Sequence, residues 1–268
     1  MSVIPPLLLV GCGRMGGAML SGWRERGLTH SWAVDPAPDA ARHAGPDLTV
    51  VADLASVPAD FAPAGVVLAV KPQSAAAVLP AYARFAGPAV FLSIMAGRTI
   101  AGIQALLGPN AAIARAMPNT PAAVRQGITV LTPGALVTPG QRELCETLLR
   151  AIGLVEWAEQ EALLDAVTAV SGSGPAYVFL LAELMEQAAI EQGLSPALAR
   201  VLARQTVAGS GALLAASTES AADLRRAVTS PAGTTEAALK VMMEPEAMPK
   251  ALSMGIAAAT RRSRELAG

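Results

Sequence analysis

The sequence predicts an α/β protein in two parts, a doubly wound parallel sheet with helices followed by an all-helical region. Over residues 1–160, apolar runs of strand length alternate with helix-length segments, as in a sheet with crossover helices. Over residues 161–268, apolar residues repeat at helical spacing instead. Hydrophobic residues make up 53% of the chain and aromatic residues only 3%, which favours closely packed helices built from aliphatic side chains.

The first strand, turn and helix occupy residues 7–26. The run Leu7 to Val10 has the length of a buried strand, and Arg14 to Arg26 carries apolar residues at helical spacing before Gly27, a typical helix terminator. Between them lies Gly11-Cys12-Gly13-Arg14-Met15-Gly16. A leucine run that ends at Cys12 also resembles the lipidation site of an exported protein. Because an export signal needs basic residues before a longer apolar stretch, and none precedes Cys12, a glycine turn is the better interpretation.

The pattern GxGxxG indicates a dinucleotide-binding turn when it follows a strand and precedes a helix, as it does here. Gly11 permits a tight turn, Gly13 lets the backbone approach a pyrophosphate, and Gly16 lets helix and strand pack closely. A second strand, residues 31–34, ends in Asp35, about 20 residues after the turn, where an acid holds the adenine ribose. Its carboxylate accepts from a 2′-hydroxyl and repels a 2′-phosphate. We therefore predict a Rossmann domain that binds NAD(P)H and prefers NADH.

Further apolar runs predict the rest of the sheet: Leu48 to Ala52, Gly65 to Val70, Val90 to Ile94, Ala112 to Arg115, Ile128 to Thr132 and Leu154 to Trp157. A helix over Pro139 to Ala151 is predicted before the last strand. Ligands bind beyond the carboxyl ends of parallel strands. Three of these ends carry polar or special residues: Lys71-Pro72-Gln73, Ser93 to Gly97, and Met117 to Pro121.

The helical half is apolar on several sides, which predicts a dimer with a second copy of the chain. Its helices include one over residues 178–189 and one that starts at Ser195-Pro196, an N-cap followed by proline. The loop Thr229 to Thr235 precedes a helix that begins near Glu236. Hydroxyl groups, a glycine and a helix N-terminus favour an anion site there, but a simple capped helix start remains open.

Charge and composition exclude several classes of function. A net charge of -1 and a pI near 6.2, with no basic run, argue against nucleic-acid or anionic-membrane partners. The run Ala166 to Ala182 approaches the length of a membrane span, but Ser171 to Pro175 predicts a loop that feeds a buried helix. Small-molecule partners are therefore expected.

The cysteines and histidines suggest neither a metal site nor a catalytic group. Cys12 and Cys145 are far apart and in no CxxC pair, which predicts a reducing, cytoplasmic environment. Cys12 is expected to be a small packing residue. His30 and His43 lack partners at useful spacing, so both are expected at the surface, and the chemistry is expected to proceed without histidine.

Five motifs along the chain form a set: Gly11 to Ala18, Ala69 to Gln73, Met117 to Pro121, Ser171 to Tyr177, and Thr229 to Thr235. The glycine turn is shared by many dehydrogenases, whereas the last two motifs together are specific. The set resembles the Δ1-pyrroline-5-carboxylate reductase family, and the resemblance covers nearly the whole chain. It implies an N-terminal Rossmann domain over residues 1–160 and a helical substrate-binding and dimerisation domain over residues 161–268, with rings of dimers in some members.

The resemblance implies hydride transfer from nicotinamide C4 to the imine carbon of pyrroline-5-carboxylate, which gives proline, the last step of its synthesis. Thr235 is the catalytic candidate, through a hydrogen bond to the ring nitrogen. The substrate candidates are Ser230, Pro231, Ala232, Gly233, Thr234 and Thr235. The cofactor candidates are Gly11, Gly13, Arg14, Met15, Gly16, Asp35, Ala69, Val70, Lys71, Pro72 and Asn119.

Two residues depart from the family pattern, and two other classes stay open. Ala232 stands where the family usually has a second glycine, which is expected to stiffen the loop. Asp35 stands where NADPH-preferring members often carry a small or basic residue, which supports NADH. A 3-hydroxyacid dehydrogenase shares the glycine turn but needs a lysine base, for which Lys240 and Lys250 are poorly placed. A dinucleotide sensor without turnover would have no need of the loop Thr229 to Thr235.

Overall fold

The computed structural model describes residues 4–267 and divides into two compact units. One unit comprises Met1–Gly172 together with Ala259–Gly268, and the other comprises Ser173–Ala258. The whole sheet belongs to the first unit, and the described part of the second unit consists of helices and their connections. The predicted division into a Rossmann domain over residues 1–160 and a substrate-binding and dimerisation domain over residues 161–268 stays a prediction.

An eight-stranded sheet forms the centre of the first unit. Its strands are β1 (Leu7–Val10), β2 (Ser31–Val34), β3 (Leu48–Val51), β4 (Gly65–Leu68), β5 (Val90–Ser93), β6 (Ala112–Met117), β7 (Gly127–Pro133) and β8 (Gly153–Trp157). All eight predicted strands are present, in the order β3-β2-β1-β4-β5-β6-β7-β8. The strand order therefore reverses between β1 and β4, the position at which dinucleotides bind in such sheets.

One pairing differs from the predicted parallel sheet, because β6 and β7 are antiparallel, with Arg115 opposite Thr132. Parallel neighbours need a crossover of about a dozen residues or more, usually a helix. The link between these two strands holds only a short 3₁₀ segment, Thr120–Val124, so the chain folds back on itself. The sheet is mostly parallel, and β7 and β8 run opposite to the other six strands.

Helices cover both faces of the sheet: α1 (Arg14–Glu25), α2 (Ala75–Val78), α3 (Ile100–Leu107) and α4 (Pro139–Arg150). A further helix, α5 (Leu163–Val167), follows β8. On one face α1 packs with α4, where the buried Trp23 indole donates to the Leu148 carbonyl at 2.9 Å. Thr138 and Gln141 begin α4 with reciprocal side-chain hydrogen bonds to the backbone. The other face is covered by α3 and by the 3₁₀ segment Leu79–Phe85.

The second unit contains α6 (Gly174–Glu191), α7 (Pro196–Ala216), α8 (Ala221–Ala227), α9 (Thr234–Met242) and the first part of α10 (Met248–Ala267). The Ser195 hydroxyl caps α7 as predicted, accepting from the Leu198 N–H. Large apolar side chains stay exposed in the single chain, including Phe179 at 67% and Val201 at 63%. These helix faces are the kind of surface that a second chain covers.

The predicted loop at Ser171 to Pro175 is wrong. Thr168–Gly172 forms a π-helical turn, in which the Thr168 and Ser171 hydroxyls donate to backbone carbonyls, and α6 follows almost at once. In the single chain, no residue of α6, the helix that follows, is buried. The helical run Leu163–Glu191 is long and apolar enough to cross a membrane by length and composition alone, and 11% of its most apolar window is buried.

Candidate active site

The glycine turn between β1 and α1 is fixed by close backbone contacts. Gly11 has a φ of +98°, and a Cβ there would lie 2.8 Å from the Ala69 carbonyl oxygen. A Cβ on Gly16 would lie 2.2 Å from the Gly11 carbonyl oxygen. A Cβ on Gly13 would meet nothing within 4 Å, so the backbone there is open to a ligand. Gly11 and Gly16 therefore have the turn and packing roles that the sequence predicts, and the approach of a pyrophosphate to Gly13 stays a prediction.

The turn presents unpaired N–H groups at the start of α1. Gly13 is the N-cap and receives no side-chain hydrogen bond, and its carbonyl accepts from the Gly17 N–H at 2.8 Å. Within the described residues, the N–H groups of Gly13, Arg14, Met15 and Gly16 have no acceptor. Unpaired donors at the positive end of a helix dipole suit a phosphate group. The turn therefore fits the pyrophosphate of a dinucleotide.

A cleft of about 650 Å³ opens beside this turn at the carboxyl ends of β1 to β4. The predicted residues that line it are Gly11, Gly13, Asp35, Ala69, Val70 and Lys71. Five other predicted cofactor residues do not line it: Arg14, Met15, Gly16, Pro72 and Asn119. Gly16 packs against the Gly11 backbone, and Met15 packs against the apolar core that contains Trp23.

Pro72 and Asn119 have structural contacts of their own. The Pro72 carbonyl accepts from the Arg98 guanidinium at 2.9 Å. The Asn119 side-chain oxygen accepts from the Ile128 N–H at 2.9 Å, which ties the end of β6 to the start of β7. Lys71 is exposed at the end of β4, within the cleft lining. Whether these residues touch a cofactor stays a prediction.

Asp35 is held rigidly against the glycine turn. One carboxylate oxygen accepts from the Cys12 N–H at 2.6 Å, and the other accepts from the Ala37 N–H at 2.9 Å. Since Cys12 lies between Gly11 and Gly13, the acid at the end of β2 also fixes the turn that follows β1. The predicted ribose acid and the predicted phosphate turn therefore form one hydrogen-bonded unit.

Cys12 and His43, both close to the glycine turn, are expected to be unreactive and exposed, respectively, and only the first expectation fits the structure. Burial, followed by the nearby Asp35 charge, raises the pKa of the Cys12 thiol to about 11, in accord with a packing role. The prediction that both histidines lie at the surface is wrong for His43. It is half-buried against Gly17, and its Nε2 is buried without a hydrogen-bond partner within the part of the chain that the structure describes. Burial and the Arg42 and Arg24 charges lower the pKa of His43, so the neutral ring is favoured.

Several residues that line the cleft are not among those predicted from the sequence. Asp53 and Leu54 follow β3, and Ala77, Val78, Ala81 and Tyr82 lie on α2 and the 3₁₀ segment after it. Tyr82 is 3% exposed, and its burial raises the pKa of its hydroxyl to about 12. Asp53 carries the clearest sequence signal, because it follows a predicted strand as Asp35 does. The short helical segments that hold the other residues lack a full helical period and give no such signal.

The predicted substrate loop ends in a tight turn before α9. The Gly233 N–H donates to the Ser230 carbonyl at 3.1 Å, and Ala232 between them has a φ of +57°. Pro231 followed by a residue with positive φ is the pattern of a type II turn, which normally has glycine in the second place. The Ala232 N–H donates to the Glu236 carboxylate at 2.6 Å. Within the described residues, the N–H groups of Ser230, Thr234 and Thr235 have no acceptor.

We expect Ala232→Gly to raise the free energy of unfolding by about 0.5–1 kcal/mol, because an L residue in the left-handed region costs about 1–2 kcal/mol and the extra chain entropy of glycine offsets part of the gain. Urea unfolding measures this change. The control is Ala238→Gly, an exposed position within α9 that should lose about 1 kcal/mol. Equal losses in both variants would contradict a strained Ala232.

Two family models match this chain. One, described as pyrroline-5-carboxylate reductase dimerisation, matches residues 161–266, and the other, described as NADP oxidoreductase, coenzyme F420-dependent, matches residues 7–97. A curated pyrroline-5-carboxylate reductase from Pseudomonas aeruginosa is 41% identical over 268 residues, which cover 98% of this chain and 97% of that protein. This chain belongs to the pyrroline-5-carboxylate reductase family.

Solved structures of the pyrroline-5-carboxylate reductase family share the fold. The reductase from Coxiella burnetii has a TM-score of 0.90 and 31% identity, with 99% of each chain covered. The Plasmodium falciparum pyrroline carboxylate reductase, a crystal structure with NADP bound, has a TM-score of 0.83 and 24% identity, with 100% of each chain covered. At that identity the second likeness concerns the fold alone.

Membership of the pyrroline-5-carboxylate reductase family confirms the predicted fold class and makes the protein an NAD(P)H-dependent oxidoreductase with a nicotinamide cofactor. It decides against the 3-hydroxyacid dehydrogenase and the sensor without turnover. The dimerisation match over residues 161–266, where apolar helix faces are exposed, means that the chain oligomerises. Within residues 4–267 no group of three or more His, Cys, Asp or Glu is placed to hold a metal ion.

Proposed function

We propose that this protein is a pyrroline-5-carboxylate reductase, which reduces 1-pyrroline-5-carboxylate to L-proline in the last step of proline biosynthesis. The observation that carries the proposal is the 41% identity to a curated reductase of that name over 98% of this chain. When bound, the nicotinamide supplies the hydride for the imine carbon. The test is NAD(P)H consumption with pyrroline-5-carboxylate, followed by absorbance, with the product identified as proline. Absence of turnover despite cofactor binding would overturn the proposal.

The cofactor is proposed to bind the glycine turn and the cleft beside it. The open backbone at Gly13 and the unpaired N–H groups of Gly13 to Gly16 fit a pyrophosphate. The residues proposed to hold the cofactor are Gly11, Gly13, Arg14, Met15, Gly16, Asp35, Ala69, Val70, Lys71, Pro72 and Asn119. A preference for NADH is proposed from the Asp35 carboxylate, which lines the cleft and would repel a 2′-phosphate.

The substrate is proposed to bind the loop Ser230 to Thr235, within the segment 161–268. Its carboxylate would accept from unpaired N–H groups at the start of α9. Three residues of the loop have no free N–H group to donate. The N–H groups of Ala232 and Gly233 already have acceptors, and Pro231 has no backbone N–H group. Thr234 and Thr235 keep their N–H groups free, and they are the main candidates for this contact.

Thr235 is proposed to hydrogen-bond the ring nitrogen of the substrate, directly or through water. A bound iminium needs little acid catalysis, so a hydroxyl is sufficient and no histidine is required. Thr235→Ala should lower kcat/KM by roughly tenfold to a hundredfold, as expected for a lost hydrogen bond to a charged group. The conservative control Thr235→Ser keeps the hydroxyl and should keep most of the activity. Full kcat/KM in Thr235→Ala would remove Thr235 from the reaction.

The assembly is proposed to be a homodimer through the helical region, with a ring of dimers as the higher form. The dimerisation match and the exposed apolar side chains of α6 and α7 support this proposal. The mass in solution tests it, and a monomer would contradict it. A cytoplasmic location is proposed because Cys12 and Cys145 are free and buried, as suits a reducing compartment.

A further inference from the structure

A second carboxylate, Asp53, lines the cofactor cleft together with Asp35. The two acids come from neighbouring strands, since β2 pairs with β3 in parallel and Val34 lies beside Val51. Asp35 follows β2 directly, and Asp53 follows β3 with Ala52 between. Pro36, Ala37 and Leu54 complete this part of the lining. Both carboxylates therefore lie at the part of the cleft where the end of β2 holds the adenosine ribose.

The two carboxylates differ in what they already bind. Asp35 is half-buried, and both of its oxygens accept from backbone N–H groups, those of Cys12 and Ala37. Asp53 is exposed, and only its Oδ1 accepts, from the N–H and hydroxyl of Ser56 at 3.1 and 3.3 Å. Its Oδ2 has no donor, and Asp53 forms no ion pair among the described residues. The charge of Asp53 is therefore uncompensated and available to a ligand.

We propose that Asp53 is a second specificity-determining residue for the cofactor, which disfavours a nucleotide that carries a 2′-phosphate. This inference rests on the proposed NAD(P)H-dependent function of the cleft. A 2′-phosphate brings a charge of about −1.5 to −2 near pH 7, and an exposed carboxylate in the same cleft repels it through water. A ribose 2′-hydroxyl has no such charge, so the effect falls on one cofactor only.

Asp35 and Asp53 then have separable roles. Substitution of Asp35 frees the Cys12 N–H and loosens the glycine turn, so it should weaken binding of both cofactors. Substitution of Asp53 by asparagine leaves the oxygen that caps the 3₁₀ segment Leu54–Ser56, because asparagine is as good an N-cap as aspartate. Asp53→Asn therefore removes a charge without removing a structural contact. Salt screens the repulsion between charges, so an effect of charge on cofactor affinity decreases at high ionic strength. The effect of a lost contact does not depend on salt in this way.

The experiment compares Asp53→Asn with the wild-type chain for both cofactors. We expect Kd for NADP⁺, measured by titration calorimetry, to fall about tenfold and kcat/KM for NADPH to rise about tenfold, as expected for one removed charge at a surface cleft. Values for NAD⁺ and NADH should stay within about twofold. The gain for NADP⁺ should shrink as ionic strength rises. Asp53→Glu keeps the charge and should behave as the wild type does.

Asp60→Asn is the matched control, because Asp60 is exposed, lies outside the cleft lining and also removes one negative charge from this unit. It should change neither Kd by more than about twofold. An unchanged ratio of NADP⁺ to NAD⁺ affinity in Asp53→Asn would overturn the inference. Failure of the wild type to reduce pyrroline-5-carboxylate would overturn the proposed reaction instead, while the two Kd values still decide the role of Asp53.

Discussion

Gly16→Ala is expected to abolish measurable cofactor binding and to lower the free energy of unfolding by about 3 kcal/mol. The added Cβ would lie 2.2 Å from the Gly11 carbonyl oxygen, and a backbone atom cannot move aside as a flexible side chain can. Gly11 in turn lies against the Ala69 backbone, so relief of the clash has to distort the turn and its unpaired N–H groups. Urea unfolding and calorimetric titration with NAD⁺ measure the two effects.

Gly13→Ala is the matched control for this prediction. Its Cβ would meet no protein atom within 4 Å, so stability should change by less than about 0.5 kcal/mol. Cofactor affinity should still fall sharply, because the methyl group occupies the space where a pyrophosphate approaches the backbone. Retention of cofactor binding in Gly16→Ala would show that the turn tolerates displacement, which contradicts the tight packing described above.

Glu161→Ala is expected to lower the free energy of unfolding by about 3–5 kcal/mol. Arg115 on β6 is 3% exposed, and its Nη1 donates to the Glu161 carboxylate at 2.9 Å. Its Nε and Nη2 are buried with no hydrogen-bond partner among the described residues, and Glu161 is the anion that pairs with this guanidinium. The same carboxylate oxygen accepts from the Ile100 N–H at 2.8 Å, at the first residue of α3. Without it, both the buried charge and the helix start lose a partner.

The control for Glu161 is Glu265→Ala, which breaks an exposed ion pair with Arg262 and should cost less than about 1 kcal/mol. The double variant Arg115→Met with Glu161→Ala should recover much of the loss, since it removes the unpaired buried charge itself. Chemical denaturation gives all three values. A loss below about 1 kcal/mol in Glu161→Ala alone would mean that water or another group compensates Arg115.

Local patterns predicted the strands because each one is a short apolar run with turn residues on both sides. They also predicted the glycine turn, because strand, GxGxxG and helix follow one another within residues 7–26. The antiparallel pairing of β6 with β7 was not predicted, since apolar runs carry no information on direction. The length of the link at Thr120–Val124 carries that information, because it is too short for a crossover.

The structure differs from the sequence-based expectations at three places, each for its own physical reason. His43 is half-buried because Gly17, on another element, leaves room for its ring. Ser171 to Gly172 looked like a loop because glycine and serine favour turns, yet the serine hydroxyl bonds to the Val167 carbonyl within a π-helical turn. Asp53 was overlooked although it follows a strand, as Asp35 does. Its place just after a strand is the sequence feature that it shares with Asp35.

The exposed helix faces link folding to the amount of protein present. Side chains such as Phe179 and Val201 are left in water by a single chain, and they lose this exposure only when another chain covers them. Any partner that binds the folded form and not the unfolded one stabilises it by mass action, and here the proposed partner is a second copy of the chain. The melting temperature should therefore rise with protein concentration. Dilution acts on such a molecule as a denaturant does.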